Sequence, residues 1–297
     1  MANRIRDLFR DLALLRRYRA EKAARMPFRI RLPFIRDNLR HEAHEQWPGG
    51  YVFNDAGDLV HVPKPVDVMG GYRLLKPSGR HLVIGAVCRP NDVVVDVGAN
   101  VGDWTLAAAR VVGAGGRVLA FEPVPHIAES LRKTVRANRL QQVKVFELAL
   151  AEAGGSREFS VERENTGGSR LDAMSNDPRR TFDSITVKTA RLDEIAAAEK
   201  PQRLDLIKID VEGFEHAVLS GAVETLKRFK PVLFMETGHE TAERRAGTHA
   251  LLSRLGYGIV GVMFGEGMVE ATWDDYGQRK GVFQDLALAD MLLMPVA

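Results

Sequence analysis

The chain has 297 residues, 45% of them hydrophobic and 27% charged, enough for one large α/β domain with a small appendage. No apolar run approaches the ~20 residues that cross a bilayer, and charges interrupt the first residues too often for a secretory leader, so neither is expected. Cys88 is the single cysteine, which excludes an intrachain disulfide and a cysteine-based metal cluster and points to a reducing cytoplasm. It follows an apolar stretch and is expected to be a small buried hydrophobe.

Charge is unevenly spread. Residues 1–40 carry twelve Lys/Arg against four acids, a surplus of eight positive charges, although the whole chain is only +3. The remainder is therefore mildly acidic, and the basic head suggests an anionic partner for that segment alone. Residues 3–25 place Ile5, Leu8, Leu12 and Leu15 at helical spacing with arginines between them, which predicts an amphipathic helix. Three readings of it stay open: a helix packed on the body or on a second copy of the chain, as in a homodimer; a helix lying on an anionic surface at the inner membrane face; and a grip on an anionic substrate. Nucleic acid is not expected, because no nucleic-acid motif accompanies the charge. Next, Tyr51–Phe53 and Leu59–Val62 flank an Asn-Asp-Ala-Gly-Asp turn and predict a hairpin. Residues 1–80 thus read as an N-terminal extension, and 81–297 as the main domain.

From residue 80 onward the chain alternates short apolar strands with helices. Strands are predicted at Val93–Val97, Arg117–Phe121, Val143–Glu147, Leu204–Ile209, Pro231–Met235, Tyr257–Met263 and Met291–Val296. Helices are predicted at Trp104–Val112, His126–Arg139, Phe214–Phe229 and Glu243–Leu255. This is the pattern of a doubly wound, mostly parallel, seven-stranded sheet covered on both faces, Rossmann-like in plan.

The most informative stretch runs from Asp96 to Thr105 and reads Asp-Val-Gly-Ala-Asn-Val-Gly-Asp-Trp-Thr. It joins a buried strand to a helix, where glycines let the backbone turn and approach a ligand. A dinucleotide loop would have Gly-x-Gly-x-x-Gly; this one has Gly98-x-Asn100-x-Gly102, with Asp96 near the strand end. A carboxylate there opposes a pyrophosphate but suits a ligand carrying an ammonium and a sulfonium. Glu122, at the end of the next strand, stands where an acid accepts both hydroxyls of a ribose. Asp96, Gly98, Ala99, Asn100, Gly102, Thr105, Glu122 and Asp210 are therefore the expected contacts to S-adenosylmethionine.

These segments resemble the FkbM-type methyltransferase family, together with Lys208-Ile-Asp210-Val-Glu212-Gly213-Phe-Glu215, Val218-Leu-Ser-Gly221 and the strand ending at Glu236. The likeness covers roughly residues 80–297 and implies a class I fold and S-adenosylmethionine-dependent O-methylation of sugars or other secondary metabolites. A hydroxyl acceptor must lose its proton to a base or to a metal. His239 is the candidate base, with Asp210 and Glu236 beside it in the reacting centre. No metal site is expected, with a magnesium-like ion on Asp210, Glu236 and His239 as the minority reading. Lys208, inside an apolar strand, is expected to pair with an acid, and Glu212 and Glu215 to serve as first-turn helix acids. Acceptor specificity is expected from loops at 160–185 and 264–288, and the basic head favours a small-molecule or glycan substrate that is anionic or lipid-linked. Two other classes stay in view: a nicotinamide-dependent oxidoreductase and a non-catalytic docking module of the same fold.

Overall fold

The computed structural model describes residues 49–54, 56–63, 80–162, 170–171, 182–264, 267–285 and 289–296. The predicted amphipathic helix at 3–25, and residues 163–169 and 172–181 of the predicted specificity loop at 160–185, lie outside them.

Eight strands form the main sheet: β3 (Val93–Val97), β4 (Arg117–Phe121), β5 (Val143–Phe146), β10 (Leu206–Ile209), β11 (Val232–Thr237), β12 (Tyr257–Phe264), β13 (Gly267–Val269) and β14 (Ala289–Pro295). Their order is β13-β12-β14-β11-β10-β3-β4-β5. The five strands from β11 to β5 are parallel, and β14, β12 and β13 add on antiparallel. The seven predicted strands are all present. The eighth, β13, is a three-residue edge strand whose exposed ends give it no apolar signature.

Alternate residues of the central strands feed two cores, as a sheet buried on both faces requires. Val93, Val95 and Val97 face α4 (Leu192–Glu199), α5 (Glu215–Ser220), α6 (Val223–Phe229) and α7 (Ala242–Arg254) through Leu192, Leu219, Leu226 and Leu252. Val94, Val118 and Phe234 pack instead against α1 (Arg80–Val87) and α2 (Asp103–Val112). Trp104 of α2 lies against Phe234, with ring centroids 4.8 Å apart. Cys88 is buried in this second core, and burial pushes its thiol up to about 12.

The predicted hairpin is observed as β1 (Gly50–Phe53) and β2 (Leu59–Val62). It docks on α3 (Pro125–Ala137): the N–H of Leu59 donates to Asn138 Oδ1 at 3.0 Å, and that of His61 to Thr134 Oγ1 at 2.9 Å. A second sheet, β6 (Ala149–Leu150), β9 (Phe182–Ala190), β7 (Gly155–Glu162) and β8 (Arg170–Leu171) in spatial order, fills the excursion between β5 and β10. Two further short helices, α8 (Trp273–Gln278) and α9 (Val282–Asp285), precede β14.

One predicted helix is divided. The span 214–229 breaks into α5 and α6 at Gly221, where a Cβ would lie 2.0 Å from the carbonyl oxygen of Ala151. The break lets the chain pass under β6. Gly221→Ala is expected to cost about 1–3 kcal/mol through this backbone clash, read as a lower thermal midpoint. An unchanged midpoint would mean that the crossing has slack.

Candidate active site

The site grows out of a register. Lys208 and Asp96 are directly paired across β10 and β3, and their side chains meet with Nζ 3.2 Å from Asp96 Oδ1. Both are buried, and Nζ also donates to the carbonyls of Val97 (3.2 Å) and Gly98 (2.8 Å) and approaches Asp210 Oδ2 at 3.8 Å. Burial works against the lysine charge, but Asp96, then Asp210, outweighs it and raises its pKa. The expected acid partner of Lys208 is therefore present twice over. Thr105 is fully buried and donates to Asp96 Oδ2 at 2.7 Å, so its part is to hold that carboxylate. Asp96 is engaged internally through both oxygens, whereas the Asp210 side chain is 20% exposed at the strand end.

The loop after β3 is shaped by close approach. Gly98 has φ 76°, and a Cβ there would sit 1.9 Å from the carbonyl oxygen of Asp210. Gly102 has φ 105°, and a Cβ would meet Leu131 of α3 at 2.6 Å. Between them Ala99 is buried, and Asn100 takes a left-handed φ of 49°. That conformation turns the Asn100 N–H onto Glu122 Oε2 at 3.0 Å, while Glu122 Oε1 accepts from Val124 N–H at 3.0 Å. Burial pushes the Glu122 carboxyl up to about 7, and these two backbone donors restrain it from rising further. Asp96, Gly98, Ala99, Asn100, Gly102, Thr105, Glu122 and Asp210 thus converge on the carboxyl edge where strand order reverses between β3 and β10, the place where doubly wound sheets bind ligands.

A second constellation lies on the β11 side of Asp210. Glu212 adopts φ 55° and its Oε2 lies 2.8 Å from His239 Nε2. Glu236, at the end of β11, is 2% exposed, and one ligand atom from each of Glu212, Glu236 and His239 lies within 4.8 Å of the others. The minority metal reading named Asp210 for this trio. The structure puts Glu212 there, because Asp210 turns toward Lys208 while the left-handed residue 212 projects toward β11. Sequence reasoning missed this role for Glu212. The signal was a pair of post-strand turns, Glu212-Gly213 and Gly238-His239, each joining a polar residue to a glycine. A Cβ on Gly213 would stand 2.8 Å from the His239 carbonyl oxygen, so the two turns touch.

Glu215 is buried and its Oε1 accepts the Gly213 N–H at 3.0 Å, closing that turn. Burial pushes its carboxyl up to about 8. The folded value lies above the ordinary 4.5, so stabilisation by the protonated form is complete below about pH 4.5. It is lost as pH rises through about 8. Glu215→Gln keeps the acceptor and removes the charge. It should raise the thermal midpoint at pH 9 and leave that at pH 4 near wild type; equal shifts at both would refute the buried-charge account.

Sheet order and loop together define a class I methyltransferase fold. Residues 96–259, more than half of the chain, match the Methyltransferase FkbM domain, and the chain belongs to that family. Among curated relatives, 2-O-methyltransferase NoeI of Sinorhizobium fredii is 24% identical over 184 residues, covering 58% of this chain and 74% of NoeI. The 31-O-demethyl-FK506 methyltransferase FkbM of Streptomyces tacrolimicus is 29% identical over 175 residues, covering 50% and 66%. Among solved structures, methyltransferase FkbM from Methylobacillus flagellatus shares 18% identity at a TM-score of 0.44, covering 75% of this chain and 52% of that one. The protein is a methyltransferase. Among the described residues no helix is long and apolar enough to cross a membrane.

Proposed function

We propose that the enzyme transfers a methyl group from S-adenosylmethionine to a hydroxyl of a sugar, a glycan or glycolipid, or another secondary metabolite. The observation that carries this reading is the pairing of Glu122 with the Asn100 turn beside Asp210. The buried Glu122 carboxyl keeps lone pairs for ribose hydroxyls, and Asp210 supplies negative charge for an ammonium. Asp96 supports the site through Lys208 and the loop carbonyls. A nicotinamide cofactor is disfavoured, because its pyrophosphate would meet this acidic edge without the Gly-x-Gly-x-x-Gly cradle. A mere docking module has no need of the whole set. The relatives named for O-methylation support the oxygen acceptor.

In this reading Glu122, Asp210 and the Gly98–Gly102 loop would hold S-adenosylmethionine, which would supply an electrophilic methyl group to the acceptor oxygen. His239 takes the hydroxyl proton, and Glu212 orients the imidazole and stabilises the imidazolium that forms. Asp210 and Glu236 set the charge around the reacting centre. The convergence of Glu212, Glu236 and His239 favours one second reading, a magnesium-like ion that acidifies the hydroxyl instead. The basic head of residues 1–40 is assigned to an anionic or lipid-linked acceptor, with the enzyme cytoplasmic and peripheral at the inner membrane face. A homodimer through that head is the alternative, and nucleic acid is not a partner.

Calorimetric titration with S-adenosylhomocysteine, with NADH as control, should show one-to-one binding of the first ligand alone. Because Glu122 titrates near 7 and its ionised form accepts the ribose hydroxyls, affinity should weaken as pH falls through about 7. Glu122→Gln should flatten that profile, and a pH dependence surviving intact in the variant would remove Glu122 from the ribose.

His239→Ala should lower kcat by roughly 10²–10⁴-fold with cofactor affinity unchanged. Wild-type activity that survives chelation supports the base; activity lost to chelation and restored by Mg²⁺ transfers His239 from base to ligand.

A further inference from the structure

Beneath the second turn lies a small pocket that the methyl-transfer scheme does not use. It is lined by Thr237, Gly238, Glu240, Arg245, Tyr276 and Arg279, with Phe283 and Ala289 as apolar wall. Arg245 projects from the buried face of α7 and is only 9% exposed, yet its Nε has no hydrogen-bond partner among the described residues. A guanidinium cannot shed its charge, and burying it without an acceptor is costly. Arg279 lies on the same pocket and donates through Nη1 to the Gly238 carbonyl at 3.2 Å. Glu240 takes the Gly238 N–H, and the Tyr276 hydroxyl faces Glu240 and Thr248. Two guanidinium groups against one carboxylate leave the walls with one positive charge in excess.

We propose that this pocket is a subsite for a carboxylate carried by the methyl acceptor, seated between Arg245 and Arg279; the assignment rests on the methyl-transfer reading above. A monoanion neutralises the excess charge, and a planar carboxylate matches the fork of a guanidinium. The pocket is too confined for a bulky dianion. Its placement ties it to the reaction, because Gly238, held through both N–H and carbonyl, directly precedes His239. Seating an acid here would fix the acceptor hydroxyl relative to the imidazole. A neutral analogue would leave Arg245 buried without its counter-ion, so the subsite selects acidic acceptors over neutral ones.

The test is a ¹H–¹⁵N titration of the full-length protein with sodium formate, following the Arg245 Nε–H resonance, assigned by its loss in Arg245→Lys. Sodium chloride at matched ionic strength is the control. A saturable shift with formate alone is expected, with affinity reduced about fivefold or more in Arg279→Gln. No shift, or an equal shift with chloride, overturns the proposal and leaves Arg245 as a water-bridged structural group. Tighter binding of inorganic phosphate than of formate overturns the choice of carboxylate. S-adenosylhomocysteine calorimetry on the same samples separates the two readings. Loss of that binding in the wild type defeats methyl transfer, whereas normal binding with a silent Arg245 defeats only the subsite.

Discussion

The pairing of Lys208 with Asp96 is the constraint on which the rest of the site depends. Two strands that are distant in sequence must lie side by side, in parallel and in one register, for these residues to meet. Inside the sheet each charge alone would be severely penalised; together they neutralise each other, and Thr105 and two loop carbonyls add hydrogen bonds to the pair. The lysine also draws the carbonyls of Val97 and Gly98 inward. That orientation starts the glycine turn, and Gly98 can then pass so close to Asp210 that no side chain fits between them. The ion pair therefore does more than hold two strands together: it sets the floor of the crevice between them.

Electrostatics along the carboxyl edge follow from that floor. Lys208 balances Asp96, which leaves Glu122 and Asp210 on one side and Glu212 and Glu236 on the other as acids along this edge. Such an edge is unfavourable for an apo protein and favourable for a cationic ligand. A sulfonium carrying an ammonium group relieves it in a way that a pyrophosphate cannot. The raised pKa values of Glu122 and Glu215 come first from burial, to which the neighbouring carboxylates add: Asp96 for Glu122, and Glu240 and Asp210 for Glu215. Functional demand and folding stability pull against each other here, as is common where a site is preorganised for charge.

Much of this was legible in the sequence because it is local or periodic. Val93–Val97 and Leu206–Ile209 announce buried strands by unbroken apolar character, and the Asp96–Thr105 turn carries its glycines at fixed offsets. Glu122 could be found because a strand end is a position, and the following Pro123 marks it. What stayed hidden depends on tertiary neighbours. The β9 strand buries only Val187 and Thr189, so the small sheet left little imprint. The break at Gly221 exists only because Ala151 crosses there. Glu212 reads as a helix-start acid until its left-handed backbone aims it at His239, and no local pattern fixes that φ.

The two post-strand turns present their side chains in different directions while staying in contact. Asp210 and Glu212 are two residues apart, yet the first faces the lysine and the glycine loop, and the second faces β11. One left-handed residue, Glu212, followed by a Gly213 N–H bond to Glu215, separates the two directions, and in the proposed scheme these would be the cofactor side and the acceptor side. The matching turn at Gly238 is pinned by Glu240 and Arg279, so His239 is presented from a braced backbone. Because a Cβ at Gly213 would press on the His239 carbonyl, neither turn can move without the other. The two turns therefore sit in backbone contact, and in the proposed scheme that contact would help hold the imidazole in place for a methyl transfer whose rate depends chiefly on positioning the acceptor.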